Sequence, residues 1–360
     1  MKIKVLLSCI LVSLLFSCKK DDKGNVEPNI TTTEGFYVCC EGSWGNNNGS
    51  LFYYNLENRQ HYNDIFKDKN GRGLGDTPVD LKIYGSKMYC VVNTSNTVEV
   101  MEATTAVSIK QIPLINEDGI GRQPRQIAFH NGKAYVCSFD GTVVRIDTTS
   151  LAVEASVKCG RNPDGICVAN NKLYVSNSGG LGWPENYDNT VSVIDIESFS
   201  EIKRISVVIN PGKILADSEG DVYVVSRGNY GDIPYTLQRI DSRTDETVQT
   251  FDNINALNFT ICNDTAYLYS YDFTSSTSWI KSFDCKTEQI IRESFISDQT
   301  VIIMPYGINV NPLNGDVYIT EAYDTQVTGD VYCFDRQGKQ KFKIEDVGFS
   351  PNVTLFKYKD

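Results

Sequence analysis

Histidine is almost missing from this 360-residue chain, which holds only His61 and His130. The 11 cysteines form no Cys-x-x-Cys pair, so a Cys/His metal centre has no ligand set. No Gly-x-Ser-x-Gly elbow occurs, and the glycine-rich stretches GRGLGD and SGGLG lack the strand-to-helix setting that would make them phosphate cradles. Neither histidine has a Ser or Cys motif beside it. Lys and Arg number 34 against 45 acids, a net charge of −11, which argues against nucleic acid as a partner. Beyond the N-terminus no apolar run is long enough to cross a bilayer. These absences leave no catalytic residue and no metal site to name. Isolated carboxylates such as Asp76, Asp164, Glu185 and Glu321 keep a lyase or glycosidase open as the least favoured reading.

The N-terminus carries a localisation signal. Lys2 and Lys4 precede an apolar run, Val5 to Phe16, too short for a comfortable span. It ends at Leu15-Phe16-Ser17-Cys18, followed by Lys19, Lys20, Asp21 and Asp22. A charged start, a short apolar core and a small residue form an export signal. The Cys directly after it resembles the lipobox of bacterial lipoproteins, apart from the bulky Phe16. That resemblance implies cleavage before Cys18 and its lipidation, and several acyl chains on one residue anchor stably. The expected organisation is a signal peptide over 1–17, a lipidated polar tether over 18–34 and a folded domain over 35–360. The CKKDDK stretch resembles surface-export signals of lipoproteins in the Bacteroidetes, which implies an outer-membrane lipoprotein facing outward.

One pattern repeats through the rest of the chain. PVDLKIYGSKMYCVV, PRQIAFHNGKAYVCS, PDGICVANNKLYVSN, PGKILADSEGDVYVVS and PYGINVNPLNGDVYIT share a short apolar stretch, a polar turn and a tyrosine-centred strand; NALNFTICNDTAYLYS is a fainter copy. The anchors Tyr89, Tyr135, Tyr174, Tyr223, Tyr267 and Tyr318 are spaced by 46, 39, 49, 44 and 51 residues, the period of four-stranded propeller blades. Alternating Val, Ile and Tyr with Asn-Gly turns excludes a helical solenoid. Second halves such as NTVEVME, GTVVRID and NTVSVIDI complete each unit. The segment from Gly35 lacks a first strand, and 350–357 supplies a spare one at the other terminus. The expected fold is therefore all-β: a seven-bladed propeller of four-stranded antiparallel blades, its ring closed by the C-terminal strand in the N-terminal blade, which removes two sheet edges. The nine cysteines after Cys18 fall mostly within strand patterns and are expected to be buried thiols.

Loops between second and third strands share a face with the connections between blades, and the long ones, including EGSWGNNNG (41–49), NSGGLGWPENYDN (177–189) and RGNYGDIPY (227–235), all fall there. Loops longer than a hairpin needs tend to be functional. Trp44, Trp183, Tyr187, Tyr230, Tyr235, Tyr271, Phe273 and Tyr323 would offer flat apolar surface, and Asn46, Asn47, Asn48 and Asn96 amide groups. Arg227 would add a fork of donors, and Arg72, Arg122, Arg125 and Arg161 would stand near the mouth of the central channel. Aromatics beside amides and arginines suit a sizeable, partly polar organic ligand.

The repeat, with its Lys-x-Tyr-Val and NTVxVID elements, looks like the YncE-like propeller family over the whole chain after the tether. EGSWGNNNGSLFYY, NGRGLGD and NTSNTVEV resemble more narrowly the surface propeller lipoproteins of Bacteroidetes, among them the cobalamin-binding lipoproteins that partner a TonB-dependent vitamin B12 transporter. The resemblance implies surface capture of a nutrient, with cobalamin as ligand rather than cofactor, and hand-over to the transporter; it carries no site residues across. A glycan-binding or adhesion propeller remains the alternative.

Overall fold

The computed structural model describes residues 32–359. The signal segment 1–17, Cys18 and nearly all of the 18–34 tether lie outside the described residues. Within them, 28 strands form seven four-stranded antiparallel sheets. Blades 2 to 7 are built from consecutive strands, and their innermost strands are Pro78–Tyr84, Pro124–His130, Pro163–Ala169, Pro211–Ala216, Asn258–Cys262 and Pro305–Val310. Blade 1 takes its innermost strand, Pro351–Tyr358, from the far end of the chain and pairs it with Thr33–Cys40. The ring closes as the repeat pattern requires.

The tyrosine anchors explain why the blades stack. Tyr37, Tyr89, Tyr135, Tyr174, Tyr223 and Tyr318 are among the largest fully buried side chains, and Tyr267 is nearly so. Each sits in the apolar cluster shared with the following blade: Tyr37 among Met88, Cys90 and Val92, and Tyr223 among Phe259, Ala266 and Phe283. Several hydroxyls also cross to that blade. Tyr37 Oη donates to the Ala103 carbonyl at 3.1 Å, Tyr174 to Ser242 at 3.2 Å and Tyr223 to Cys285 at 2.8 Å, all in turns between third and fourth strands. A buried aromatic thus fills each wedge; the polar tips of Tyr37, Tyr174 and Tyr223 find partners, whereas the Tyr89 hydroxyl is buried without one. All nine cysteines are free thiols, seven of them buried, as the strand patterns indicated. A short helix, Ile65–Asn70, that alternation could not reveal links blades 1 and 2; Asp64 caps it, and Ile65 and Phe66 plug the wedge below.

Candidate functional site at the channel and the long-loop face

Six of the seven innermost strands begin with proline, where the ladder needs no N–H. In each, register with the second strand slips immediately after the proline: Pro78/Asp80, Pro124/Gln126, Pro163/Gly165, Pro211/Ile214 and Pro305/Gly307, with the matching slip between Cys39 and Cys40 opposite Val353 and Pro351. A bulge re-aims the residue it leaves unpaired. The residues left out are Val79, Arg125, Asp164, Gly212, Tyr306 and Asn352, and Lys213 follows Gly212 in blade 5. All but Gly212 line one cavity of about 240 Å³ at the long-loop end of the channel. One repeated backbone irregularity therefore supplies the chemistry of the channel mouth.

Asp164 is its electrostatic centre. Its Oδ1 accepts from Arg125 Nε at 2.7 Å and its Oδ2 from Arg227 Nη1 at 2.6 Å. Burial alone would raise the Asp164 carboxyl, but the two guanidiniums outweigh it and hold it well below the ordinary carboxylate range. Arg125 also stacks over Phe139 at 4.7 Å. Glu41 accepts from Tyr306 Oη at 3.0 Å and from Asn352 Nδ2 at 2.6 Å. Burial raises Glu41 more than Arg125 and these hydrogen bonds lower it. Lys213 reaches the same space, and its Nζ has no hydrogen bond or ion pair among the described residues.

The structure sorts the residues expected at the site into three groups. Arg125, Arg227, Tyr271 and Phe273 line the mouth itself. Tyr187, Tyr230 and Tyr235 form an edge-to-face chain, Tyr187 to Tyr230 at 6.4 Å and Tyr230 to Tyr235 at 6.3 Å, while Tyr271 meets Phe273 at 4.8 Å. Trp183 stands exposed in the loop that carries Tyr187. Arg161 braces that loop, donating to the Asn186 and Tyr187 carbonyls at 3.0 and 3.1 Å. On blade 1, Trp44, Asn46, Asn47 and Asn48 are exposed, and Asn48 caps its own loop through Ser43 N at 2.8 Å. Asn96 folds back on its turn, accepting from Gln123 N and donating to the Thr94 carbonyl. Tyr323 is tied to Asp330 at the blade 7 sheet.

Three arginines expected near the mouth do not line it: Arg161, which braces its loop, and Arg72 and Arg122. Arg72 pairs with buried Glu99 at 2.9 Å and covers Phe66, and Arg122 pairs with Asp140 at 2.7 Å. Unmatched carboxylates within reach drew both away from the axis. Glu41, Lys213, Tyr269, Tyr306 and Asn352 are channel residues that loop reasoning missed, although the position after each blade-opening proline marks Tyr306 and Asn352 in the sequence.

Residues 34–357 match the family described as a domain of unknown function, DUF5074. The chain belongs to the DUF5074 family. No curated protein matches this DUF5074 chain in sequence. Among solved structures it is similar to a quinonprotein alcohol dehydrogenase-like protein from Bacteroides thetaiotaomicron VPI-5482, at 15% identity and a TM-score of 0.68 over 90% of this chain and 78% of the other. It is also similar to hydrazine synthase of Kuenenia stuttgartiensis, at 16% identity and a TM-score of 0.59 over 72% and 76% of the two chains. The computationally designed protein Ika8 gives 14% identity and a TM-score of 0.56 over 92% and 94%. Identities this low establish a shared propeller fold for the DUF5074 domain and nothing of its activity.

Proposed function

We propose that this DUF5074 propeller is a binding protein that captures a large, partly apolar organic ligand on its long-loop face. The observation that supports this is an asymmetry of exposed apolar side chains. Trp44, Ile115, Ile120, Leu181, Trp183, Tyr230, Phe273, Ile303 and Val327 are exposed on the long-loop face, against Val107 and Leu313 in the turns of the opposite one. An apolar face of this kind marks an interaction surface. Its densest part, the tyrosine chain with Phe273, lies beside Arg227, so flat apolar area and hydrogen-bond donors converge.

The full reading is a surface lipoprotein, anchored through Cys18, that takes up cobalamin for a TonB-dependent transporter. Cobalamin surrounds a broad apolar ring with amides, which tyrosines and an arginine fork suit. A macromolecular partner is the second reading, favoured by the spread of the rim from Trp44 on blade 1 to Val327 on blade 7, wider than the tyrosine chain.

Titration calorimetry of residues 19–360 with cyanocobalamin tests the ligand. One-to-one binding that weakens by about tenfold or more, roughly 1.4 kcal/mol, in Trp183→Ala and Tyr230→Ala supports it. No heat and no thermal stabilisation at high ligand excess removes cobalamin and moves protein or glycan partners to the front.

A further inference from the structure

The channel has a second cavity, entered from the short-turn face, of about 520 Å³. That volume lies in the range of small-molecule sites. Its wall is mainly apolar, with Ile83, Leu215, Phe259, Val310 and Leu355 around it. Lys213, Asn258, Asn352 and Val353 border both this cavity and the one above, so they form the waist where the two meet.

Lys213 is the unusual group at that waist. It lies deep among neighbouring atoms yet keeps accessible surface, because the channel is open beside it. Every other charge there is matched. Asp164 is held by two arginines. Asp80 accepts from Leu81 N at 3.1 Å and Ile127 N at 3.0 Å, with Lys82 Nζ at 3.6 Å, and Lys82 in turn donates to the Ile127 carbonyl. Asn352 Nδ2 is turned to Glu41. Asn258 Nδ2 donates to Tyr269 Oη at 3.2 Å, which leaves its second proton free to donate. A buried ammonium without a partner is costly unless an anion meets it. Lys213 stands three residues before the end of its strand, so apolar wall continues for about 10 Å below it, at roughly 3.3 Å per residue.

We propose that this lower cavity binds an apolar monocarboxylate, its carboxylate meeting Lys213 Nζ and the free Asn258 N–H at the waist and its hydrocarbon body lying among Ile83, Leu215 and Leu355. The site is separate from the loop-face reading and stands whether or not that reading holds. Burial lowers the Lys213 ammonium below its ordinary range against the pull of Asp80 and Asp164, and Lys82 adds to the lowering; a bound carboxylate would reverse this.

Decanoate is the probe, with decan-1-ol as the uncharged control, on the folded 19–360 domain. The expected result is saturable one-to-one heat and a raised thermal midpoint with decanoate, and at least about tenfold weaker binding of decan-1-ol. Lys213→Met, whose fold is checked by its own melting transition, should lose decanoate affinity by about tenfold or more. Ile83→Glu at the lower mouth should lose it too, whereas Phe273→Ala at the upper mouth should not. The proposal is overturned if decanoate gives no heat or stabilisation at millimolar concentration, if Lys213→Met binds it as wild type does, or if Phe273→Ala alone abolishes binding.

Discussion

The rings of Tyr318 and Phe356 meet edge to face with centroids 4.9 Å apart. Tyr318 is the anchor of blade 7, and Phe356 belongs to the C-terminal strand inserted into blade 1. This wedge joins the two ends of the chain, with Phe36 packed on Tyr318 at 5.1 Å, and on the other side of blade 1 Val353 and Leu355 of the same strand pack against the wedge with blade 2.

Ending the chain after Phe349 should therefore open the ring. Thr33–Cys40 would lose its inner partner and keep only Ser50–Asn55, and its inner edge would be bared. The expected outcome is a lower, broader thermal transition by circular dichroism and self-association by size exclusion. An unchanged midpoint and cooperativity would show that the seventh wedge is dispensable.

The anchor hydroxyls should contribute separately from the rings. Tyr223→Phe leaves the Cys285 carbonyl without its donor and should cost about 1 kcal/mol in urea unfolding. Tyr223→Ala also empties the wedge among Phe251, Phe259 and Phe283, and should cost about 3–5 kcal/mol. Equal losses for the two variants would mean that the ring itself contributes nothing.

These dependencies show what the sequence discloses. Tyr89, Tyr135, Tyr174, Tyr223, Tyr267 and Tyr318 recur because each fills the same wedge, so period and blade count can be read directly, and the unpaired strand at each end announces the closure. The channel is harder to read, because a bulge breaks the alternation on which strand reading relies. Arg125 is legible near the channel mouth and Asp164 as an acid near the loop face, but they become partners only when blades 3 and 4 are side by side. Lys213 hides because the slip in its blade leaves out Gly212, which carries no side chain, and the lysine one residue later has no bulge position to mark it. Arg72 and Arg122 mislead for the converse reason: a connection fixes where the backbone passes but not which carboxylate the side chain finds.

Asp164→Asn should cost about 2–3 kcal/mol, since it leaves two half-buried guanidiniums sharing a neutral amide. The pH dependence has a definite sign. The native carboxyl sits below its unfolded value, so across that window the unfolded chain binds more protons. The stabilisation by Asp164 is complete above the ordinary carboxylate range and fades as pH falls through it toward the native value. Glu41, raised in the native state, changes stability in the opposite direction over its own window, which is why wild type and Asp164→Asn must be compared at each pH. The gap between their urea midpoints should narrow on acidification. A gap constant from pH 7 to pH 3 would mean that the pairs with Arg125 and Arg227 contribute nothing.

Lys213→Met runs the other way and should stabilise the protein. The native ammonium is depressed by burial, so below its native value wild type bears the full cost of the charge. Between that value and the ordinary lysine range the unfolded chain binds more protons, and wild-type stability rises with pH. Asp164 on the adjacent blade 4, and Asp80 and Lys82 on blade 2 across the channel, act on the ammonium and remain in both proteins, so their own titrations largely cancel in the comparison. At neutral pH the methionine variant should be more stable by about 1 kcal/mol or more, and the advantage should shrink steadily as pH rises from the native value toward the ordinary lysine range and the wild-type amine loses its proton. Saturating wild type with decanoate at neutral pH should erase the same advantage, because the carboxylate supplies the counter-charge that the fold omits. Equal stability of the two proteins at neutral pH, without ligand, would mean that water in the open channel already solvates the ammonium as well as bulk solvent does.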